Sequence, residues 1–215
     1  TDQSFMSIVM MKMMKPEVLS GYIFFSFVMW AVMMIAMMVP VAVPTLIIFR
    51  QIYKGGRLLI DSFVFVVGYF VVWFLFALIA AIGQWVLHNG GHLQAMSLSV
   101  RDSVAGLLFI LVGLYQLTPF KNACLARCQS PVSFFMNGWR DGSVGALQMG
   151  LSHGLFCLGC CWMLMLLMFA GGVMSILTMA TLSGFLLAER LISTQSLSRF
   201  LPAIVLIFAG ILYFF

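Results

Sequence analysis

The sequence predicts an all-α, polytopic transmembrane helical bundle of about six spans, each needing roughly 20 residues. Hydrophobic residues make up 63% of the 215 residues and charged residues only 8%, whereas a soluble domain carries about 25%. The mean hydropathy is +1.12. The apolar runs are continuous rather than alternating, which excludes a β-barrel. Because every backbone polar group inside a bilayer must be hydrogen-bonded within the protein, helices remain as the spanning structure.

The first three spans are predicted from the first three apolar runs. Span one covers Ser20–Val39, where Pro40 and Pro44 are expected to break or kink the helix. Span two covers Ser62–Leu87. Span three covers Ser103–Thr118, ends before a proline, and is short for a segment that crosses the hydrocarbon core.

The last three spans are predicted to cover Gly142–Phe169, Val173–Ala188 and Pro202–Phe215. Pro202 suits the first turn of a helix, where its missing N–H costs nothing. Spans five and six are also short, so their flanks extend them or they cross the bilayer only in part. Residues 19–215 then form one transmembrane domain, and residues 1–18 form a methionine-rich segment on the outer side.

Loop charges predict the orientation of the bundle. Eight basic residues follow spans one, three and five, and three lie on the other side. The positive-inside rule places the larger group in the cytoplasm and the N-terminus outside. Since the chain begins at Thr1 without a signal-like segment, we expect a signal peptide or another helix upstream. The two groups are Arg50, Lys54, Arg57, Lys121, Arg127, Arg140, Arg190 and Arg199 against Lys12, Lys15 and Arg101.

The fourth span carries the strongest candidate site. Met149, His153, Cys157, Cys160 and Cys161 share about a third of the circumference of a helix. Soft sulfur ligands select copper(I) or zinc, and imidazole suits both metals. The alternative is that the cysteines are small apolar residues that fill a helix interface, with the histidine hydrogen-bonded to a neighbouring helix.

Cys124 and Cys128 form a second candidate, because their four-residue spacing puts both thiols on one side of a helix. They would hold one soft metal ion, form a reversible disulfide, or remain two separate thiols. Cys160 lies roughly 27 Å along the helix from the start of the fourth span. The two groups therefore form one site only if the segment Lys121–Arg140 folds back into the membrane; otherwise there are two sites.

Methionine is abundant, with 18 residues, and Met29, Met33 and Met37 line one face of the first span. Thioethers bind copper(I) without losing a proton, so such a row is a candidate path for copper. Equally, methionine is a flexible filler of cores. His88 and His92, after the second span, are a further candidate pair. The secondary ligand candidates are thus Met149, Met33, Met37, His88 and His92.

Other chemistry is not expected from this sequence. It contains no phosphate-binding glycine loop, no Ser-His-Asp set and no carboxylate pair deep in a span, so a hydrolase or a proton-driven transporter is not predicted. Glu189 ends the fifth span beside Arg190, and an ion pair at the cytoplasmic surface is expected there. The net charge of +5 is spread over short loops, and no nucleic-acid partner is predicted.

Several of these motifs resemble one bacterial family. The chain is similar, from about Met29 to Glu189, to the predicted metal-binding integral membrane proteins catalogued as domain of unknown function 2182. The resemblance implies metal binding at Cys124, Cys128, His153, Cys157, Cys160 and Cys161, and a place in the bacterial inner membrane. The motifs are Trp30 to Pro40, Gly68-Tyr69 with Trp73, Gly113 to Lys121 with Cys124 and Cys128, Gly150 to Trp162, and Gly171 to Met174.

Three functions remain open at this point. The first is a metal-handling protein, with copper favoured over zinc, that acts as chaperone, store or assembly factor for a membrane cuproenzyme. The second is a thiol oxidoreductase that uses the Cys157 and Cys160 pair, with Cys124 and Cys128 as electron shuttle. The third is a structural subunit of a larger membrane complex, with no metal at all. An enzymatic activity is not the favoured prediction.

Overall fold

The computed structural model describes residues 19–53, 55–91, 102–173, 175–191 and 197–212, and regular structure in these ranges is entirely helical. The predicted all-α class is therefore confirmed. The methionine-rich segment 1–18 and His92 lie outside the described residues. The helices are α1 (Leu19–Ile52), α2 (Leu58–Asn89), α3 (Asp102–Gln116), α4 (Pro119–Gln129), α5 (Pro131–Gly138), α6 (Gly142–Leu166), α7 (Met168–Gly171), α8 (Ile176–Leu191) and α9 (Leu197–Leu212).

Within the described ranges, three helices are long and apolar enough to cross a membrane: Gly21–Ile52, Leu58–Asn89 and Gly142–Gly171. A fourth candidate is the pair α3 and α4, which is bent by 66° at its break. The predicted count of about six spans is therefore not confirmed, because α8 and α9 have only 16 residues each. Large apolar side chains such as Leu59 and Phe63 are exposed, which suits a surface that meets lipid.

The helix break that was one of the two outcomes expected at Pro40 and Pro44 is wrong, and so is the first-turn position expected for Pro202. Pro40 and Pro44 lie inside α1, which continues to Ile52 instead of ending at Val39. Pro202 lies inside α9, which begins at Leu197, and not in its first turn. Proline is tolerated inside membrane helices because neighbouring helices and local adjustments satisfy the freed carbonyl groups.

The two ends of the bundle differ in their packing. Where α1 ends and α2 and α6 begin, a separate aromatic cluster forms, and we call this the basal end; the opposite end is the distal end. The ring of Phe49 stacks on that of Phe65 at 5.0 Å. Helix α1 therefore runs antiparallel to α2 and α6. The basal cluster comprises Phe49, Phe65, Phe135, Ala146 and Met149.

Close packing of α2 against α6 depends on glycine. A Cβ atom on Gly68 would lie 2.6 Å from the carbonyl oxygen of Leu147, and one on Gly150 would overlap that of Phe65. A Cβ on Gly154 would lie 3.0 Å from the carbonyl oxygen of Tyr69. Small residues let membrane helices approach to backbone contact. This approach brings Tyr69 against the part of α6 that carries the candidate ligands.

We expect Gly150→Ala to lower the free energy of unfolding by about 1–3 kcal/mol, because the new methyl group meets rigid backbone rather than a movable side chain. Thermal unfolding in detergent micelles, followed by circular dichroism, measures this effect. Gly83→Ala on α2 is the matched control, since a Cβ there has nothing within 4 Å. Equal stability of the two variants would show that α2 and α6 are not in backbone contact at Gly150.

Candidate metal centre

Helix α6 supplies most of the candidate ligands from one buried face. His153, Cys157, Cys160 and Cys161 are at most 7% exposed. The sulfur atoms of the three cysteines lie within 4.8 Å of one another. The thiols of Cys160 and Cys161 donate to the carbonyl oxygen of Cys157, at 3.0 and 2.8 Å. The helical spacing seen in the sequence thus brings three thiols to one point.

Helix α4 adds a fourth thiol from a different part of the chain. Thr118 caps this helix and Pro119 begins it, which is the usual order of residues at a helix start. The resulting bend turns α4 back along α6, where Cys128 interacts with the thiols of Cys157 and Cys160. Because α4 packs against α6, Cys128 lies in the same group as the α6 thiols, which bears on the choice between one site and two that the sequence left open. In the described residues all five cysteines are free thiols.

Cys124 is buried but has a different neighbour from Cys128. It packs against Gly159, where an added Cβ would lie 2.8 Å from its sulfur atom. Neither Cys124 nor Cys128 belongs to the three thiols that lie within 4.8 Å of one another, but Cys128 lines a small cavity together with these three and Cys124 does not. The predicted ligand set is therefore brought together in part, with Cys124 at its edge.

A small cavity of about 10 Å³ lies among the thiols. This volume matches about one water-sized sphere, so the cavity has room for a single ion. Four of its lining residues carry thiols and one, Met38, carries a thioether. The lining residues are Met38, Val41, Leu125, Cys128, Cys157, Cys160, Cys161, Leu186, Glu189 and Arg190.

His153 lies beside the thiols and is held by aromatic rings and an arginine. Its ring stacks on Tyr69 at 5.6 Å between centroids. Its Nε2 atom lies 3.3 Å from Nη2 of Arg190. Since arginine can only donate, Nε2 accepts and the proton is assigned to Nδ1, which is buried and has no partner in the described residues. His153 therefore contacts Arg190 directly. As a metal ligand it would have to give up this contact at Nε2 or lose the proton at Nδ1.

The hydroxyl group of Tyr69 reaches the thiol group of Cys157, with 3.3 Å between oxygen and sulfur. This contact comes from α2 and depends on the glycine packing between α2 and α6. A partner that hydrogen-bonds a ligand atom fixes its orientation. Tyr69 thus positions one of the cysteines that line the thiol cavity.

The charged residues at the site are paired differently from the expectation. Glu189 was expected at the surface with Arg190, but it is buried and bonded to Lys121, with 2.7 Å between Nζ and Oε1. A buried carboxylate needs a partner, and the fold-back of α4 supplies one. Arg190 instead donates to Thr45 at 2.5 Å and lines the thiol cavity.

The secondary metal-ligand candidates predicted from the sequence do not lie together at the thiol cavity. Met149 lies in the basal cluster and not at the thiol cavity. Met33 and Met37 are buried in the core that also contains the thiols, whereas Met38 reaches the cavity itself. His88 packs on Tyr22 near the distal end, about 28 Å along α2 from Tyr69.

Sequence reasoning missed Arg190 and Tyr69 as neighbours of the thiols and gave Met38 no special place. Arg190 and Tyr69 belong to helices that are distant from α6 in the chain, so the residue spacing within α6 does not predict that they lie at the site. Met38 did carry a signal, because Met34 and Met38 lie beside the methionine row of α1.

Comparison with known proteins gives one match. The model of a family described as copper chaperone, PpoB2, matches residues 27–213. This range includes every helix from α2 to α9 and all five cysteines. No curated protein and no solved structure matches the chain.

Proposed function

The chain belongs to the PpoB2 copper chaperone family, and from this premise we propose that it is an integral membrane protein that binds copper(I) at the α4–α6 thiol cavity and passes it to a copper enzyme. The cargo would be held by Cys128, Cys157, Cys160 and Cys161, with Met38 as a further ligand. Storage of copper and assembly of a membrane cuproenzyme are variants of the same role. The finer resemblance, to domain of unknown function 2182, fits this proposal.

One observation carries the proposal: four buried thiols surround a cavity of the size of one ion. Thiolates select copper(I) and zinc among the available metals. The thioether of Met38 favours copper(I), because it is a soft ligand that needs no deprotonation. Arg190 offsets part of the negative charge that thiolates bring into an apolar interior.

We also propose that the protein lies in the bacterial inner membrane with the distal end outside. Arg57 and Arg140 lie at the basal end, beside the starts of α2 and α6, and the positive-inside rule then puts that end in the cytoplasm. The thiol cavity would receive copper in a reducing compartment, where its cysteines stay as thiols.

The experiment is an anaerobic titration of the reduced, detergent-solubilised chain with copper(I), in competition with the chelator bathocuproine disulfonate. We expect about one tightly bound copper(I) per chain and weaker retention of zinc, as expected for a thiol and thioether site. Elemental mass spectrometry after gel filtration gives the stoichiometry. Tight zinc binding without copper binding would contradict the copper assignment.

The same preparation separates the two other functions. A thiol oxidoreductase would bind no metal and would cycle between a Cys157–Cys160 disulfide and two thiols, which alkylation and mass spectrometry detect. A structural subunit would show neither property and would co-purify with a stable partner. The sulfur atoms of Cys157 and Cys160 lie within 4.8 Å of each other, and this proximity is the reason to measure the disulfide of a thiol oxidoreductase.

A further inference from the structure

Sulfur-containing side chains continue beyond the thiol cavity on two helices. On α6, Cys157, Cys161 and Met165 follow one another at steps of four residues. On α1, Met38 and Met34 have the same spacing. Residues four apart lie on one face of a helix. All five are at most 2% exposed and belong to the same core.

The two rows run in the same direction. Because α1 and α6 are antiparallel, falling numbers on α1 and rising numbers on α6 both lead to the distal end. Residues of α1 meet residues of α6 and of the following α7 at two levels. Met38 and Cys161 line one cavity, and the rings of Trp30 and Phe169 meet at 5.2 Å. On each chain segment these levels are eight residues apart, or about 12 Å.

Thioether side chains lie between the two levels along the chain. Met34 on α1 and Met165 on α6 occupy the intermediate positions, each four residues from the level on either side. Met33, Met37 and Met168 are also at most 5% exposed and belong to the same core. At the far level, Trp30 donates to the side chain of Gln84 at 2.8 Å, so its ring is held in place. Buried sulfur-containing side chains therefore continue along both helices from the thiol cavity toward the Trp30 and Phe169 pair.

The chemistry of these side chains suits transfer of a soft cation. A thioether binds copper(I) without gaining or losing a proton, so an ion can pass from one methionine to the next with no titration step. Methionine has three rotatable bonds, which lets its sulfur atom follow a moving ion. Thiolates hold copper(I) more firmly than thioethers do, so a thioether row beside a thiolate site offers weaker sites through which the cargo can leave.

We propose that Met38, Met34 and Met165 form a thioether path that carries copper(I) from the thiol cavity toward the distal end of the bundle. This inference rests on the proposed copper chaperone function and adds the direction in which the cargo leaves. The path has the thiol cavity at its start and the Trp30–Phe169 pair at its end.

The test uses silver(I), a redox-inert substitute for copper(I), and the full chain in detergent with ¹³C-labelled methionine methyl groups. We expect the first equivalent of silver(I) to shift the Met38 methyl signal. Further equivalents are expected to shift those of Met34 and Met165. Met136, which is 77% exposed at the basal end, is the internal control and is expected to stay unchanged.

A double variant, Met34→Leu with Met165→Leu, keeps volume and apolar character and so preserves packing. We expect it to bind the first equivalent as the unmodified chain does and to show no methionine shifts beyond Met38. A thiol cavity that binds silver(I) while Met34 and Met165 stay unshifted would overturn the path alone. Equal shifts of Met136 and Met34 would overturn it as unspecific binding. Absence of any binding would overturn the path together with the proposed function.

Discussion

Cys157→Ser is expected to abolish tight binding of copper(I) and to weaken affinity by more than about 100-fold, the upper end of the loss caused by changes outside the ligand shell. Cys157 interacts with the thiols of Cys128, Cys160 and Cys161. A serine oxygen is a poor ligand for a soft ion. Its hydroxyl group can keep the hydrogen bond to Tyr69, so the fold is expected to be retained. Competition with bathocuproine disulfonate measures the affinity.

Cys124→Ser is the matched control for this prediction. Cys124 sits on the same helix as Cys128 and is also buried, but it packs on Gly159 at the edge of the thiol group. A buried serine on a helix can bond to the carbonyl oxygen four residues earlier. We expect copper(I) affinity close to that of the unmodified chain. Equal losses in the two variants would show that the site extends to Cys124, and unchanged binding in Cys157→Ser would remove the cavity as the copper site.

Lys121→Met is expected to lower the free energy of unfolding by about 3–5 kcal/mol, the cost of leaving one partner of a buried ion pair without the other. Lys121 and Glu189 are 2% and 7% exposed. Without the ammonium group, the Glu189 carboxylate would remain in the wall of the thiol cavity with no cation from α4. Thermal unfolding in detergent micelles, followed by tryptophan fluorescence, measures the loss.

The double variant Lys121→Met with Glu189→Gln tests the cause. Removing both charges leaves no buried ion, and replacing such a pair by neutral groups is often close to neutral for stability. We expect it to recover most of the stability lost in the single variant. A loss below about 1 kcal/mol for Lys121→Met, as found for exposed pairs, would show that water reaches the two charges.

The sequence predicted those parts of this molecule that depend on local pattern. Composition gave the helical class, and the spacing of Cys157, Cys160 and Cys161 gave three thiols on one buried face. Each of these follows from the geometry of a single helix, so no knowledge of neighbouring helices was needed. The assignment of copper rests on the same residues and on the family that matches the chain.

The predictions that were wrong or stayed open depend on how segments that are distant in the chain pack together. The bend at Thr118 and Pro119 decides whether Cys128 lies near the α6 thiols. The residue pattern of each single helix leaves both outcomes open. The pairing of Glu189 with Lys121 rather than Arg190 has the same origin, because the α4 segment had no predicted place. The continuation of α1 past Pro40 shows the limit of local rules in membrane helices, where neighbours compensate a missing hydrogen bond.

The bend between α3 and α4 has a consequence for the response of the protein to its cargo. Three thiols belong to one rigid helix, whereas the fourth belongs to a short helix on the far side of a break. An ion bound by all four would act as a cross-link between chain segments about thirty residues apart. By linkage, a ligand that binds only the docked arrangement also stabilises it. Binding of the ion would therefore make it harder for α4 to separate from α6, and the stability of this docked helix would depend on whether the site is occupied.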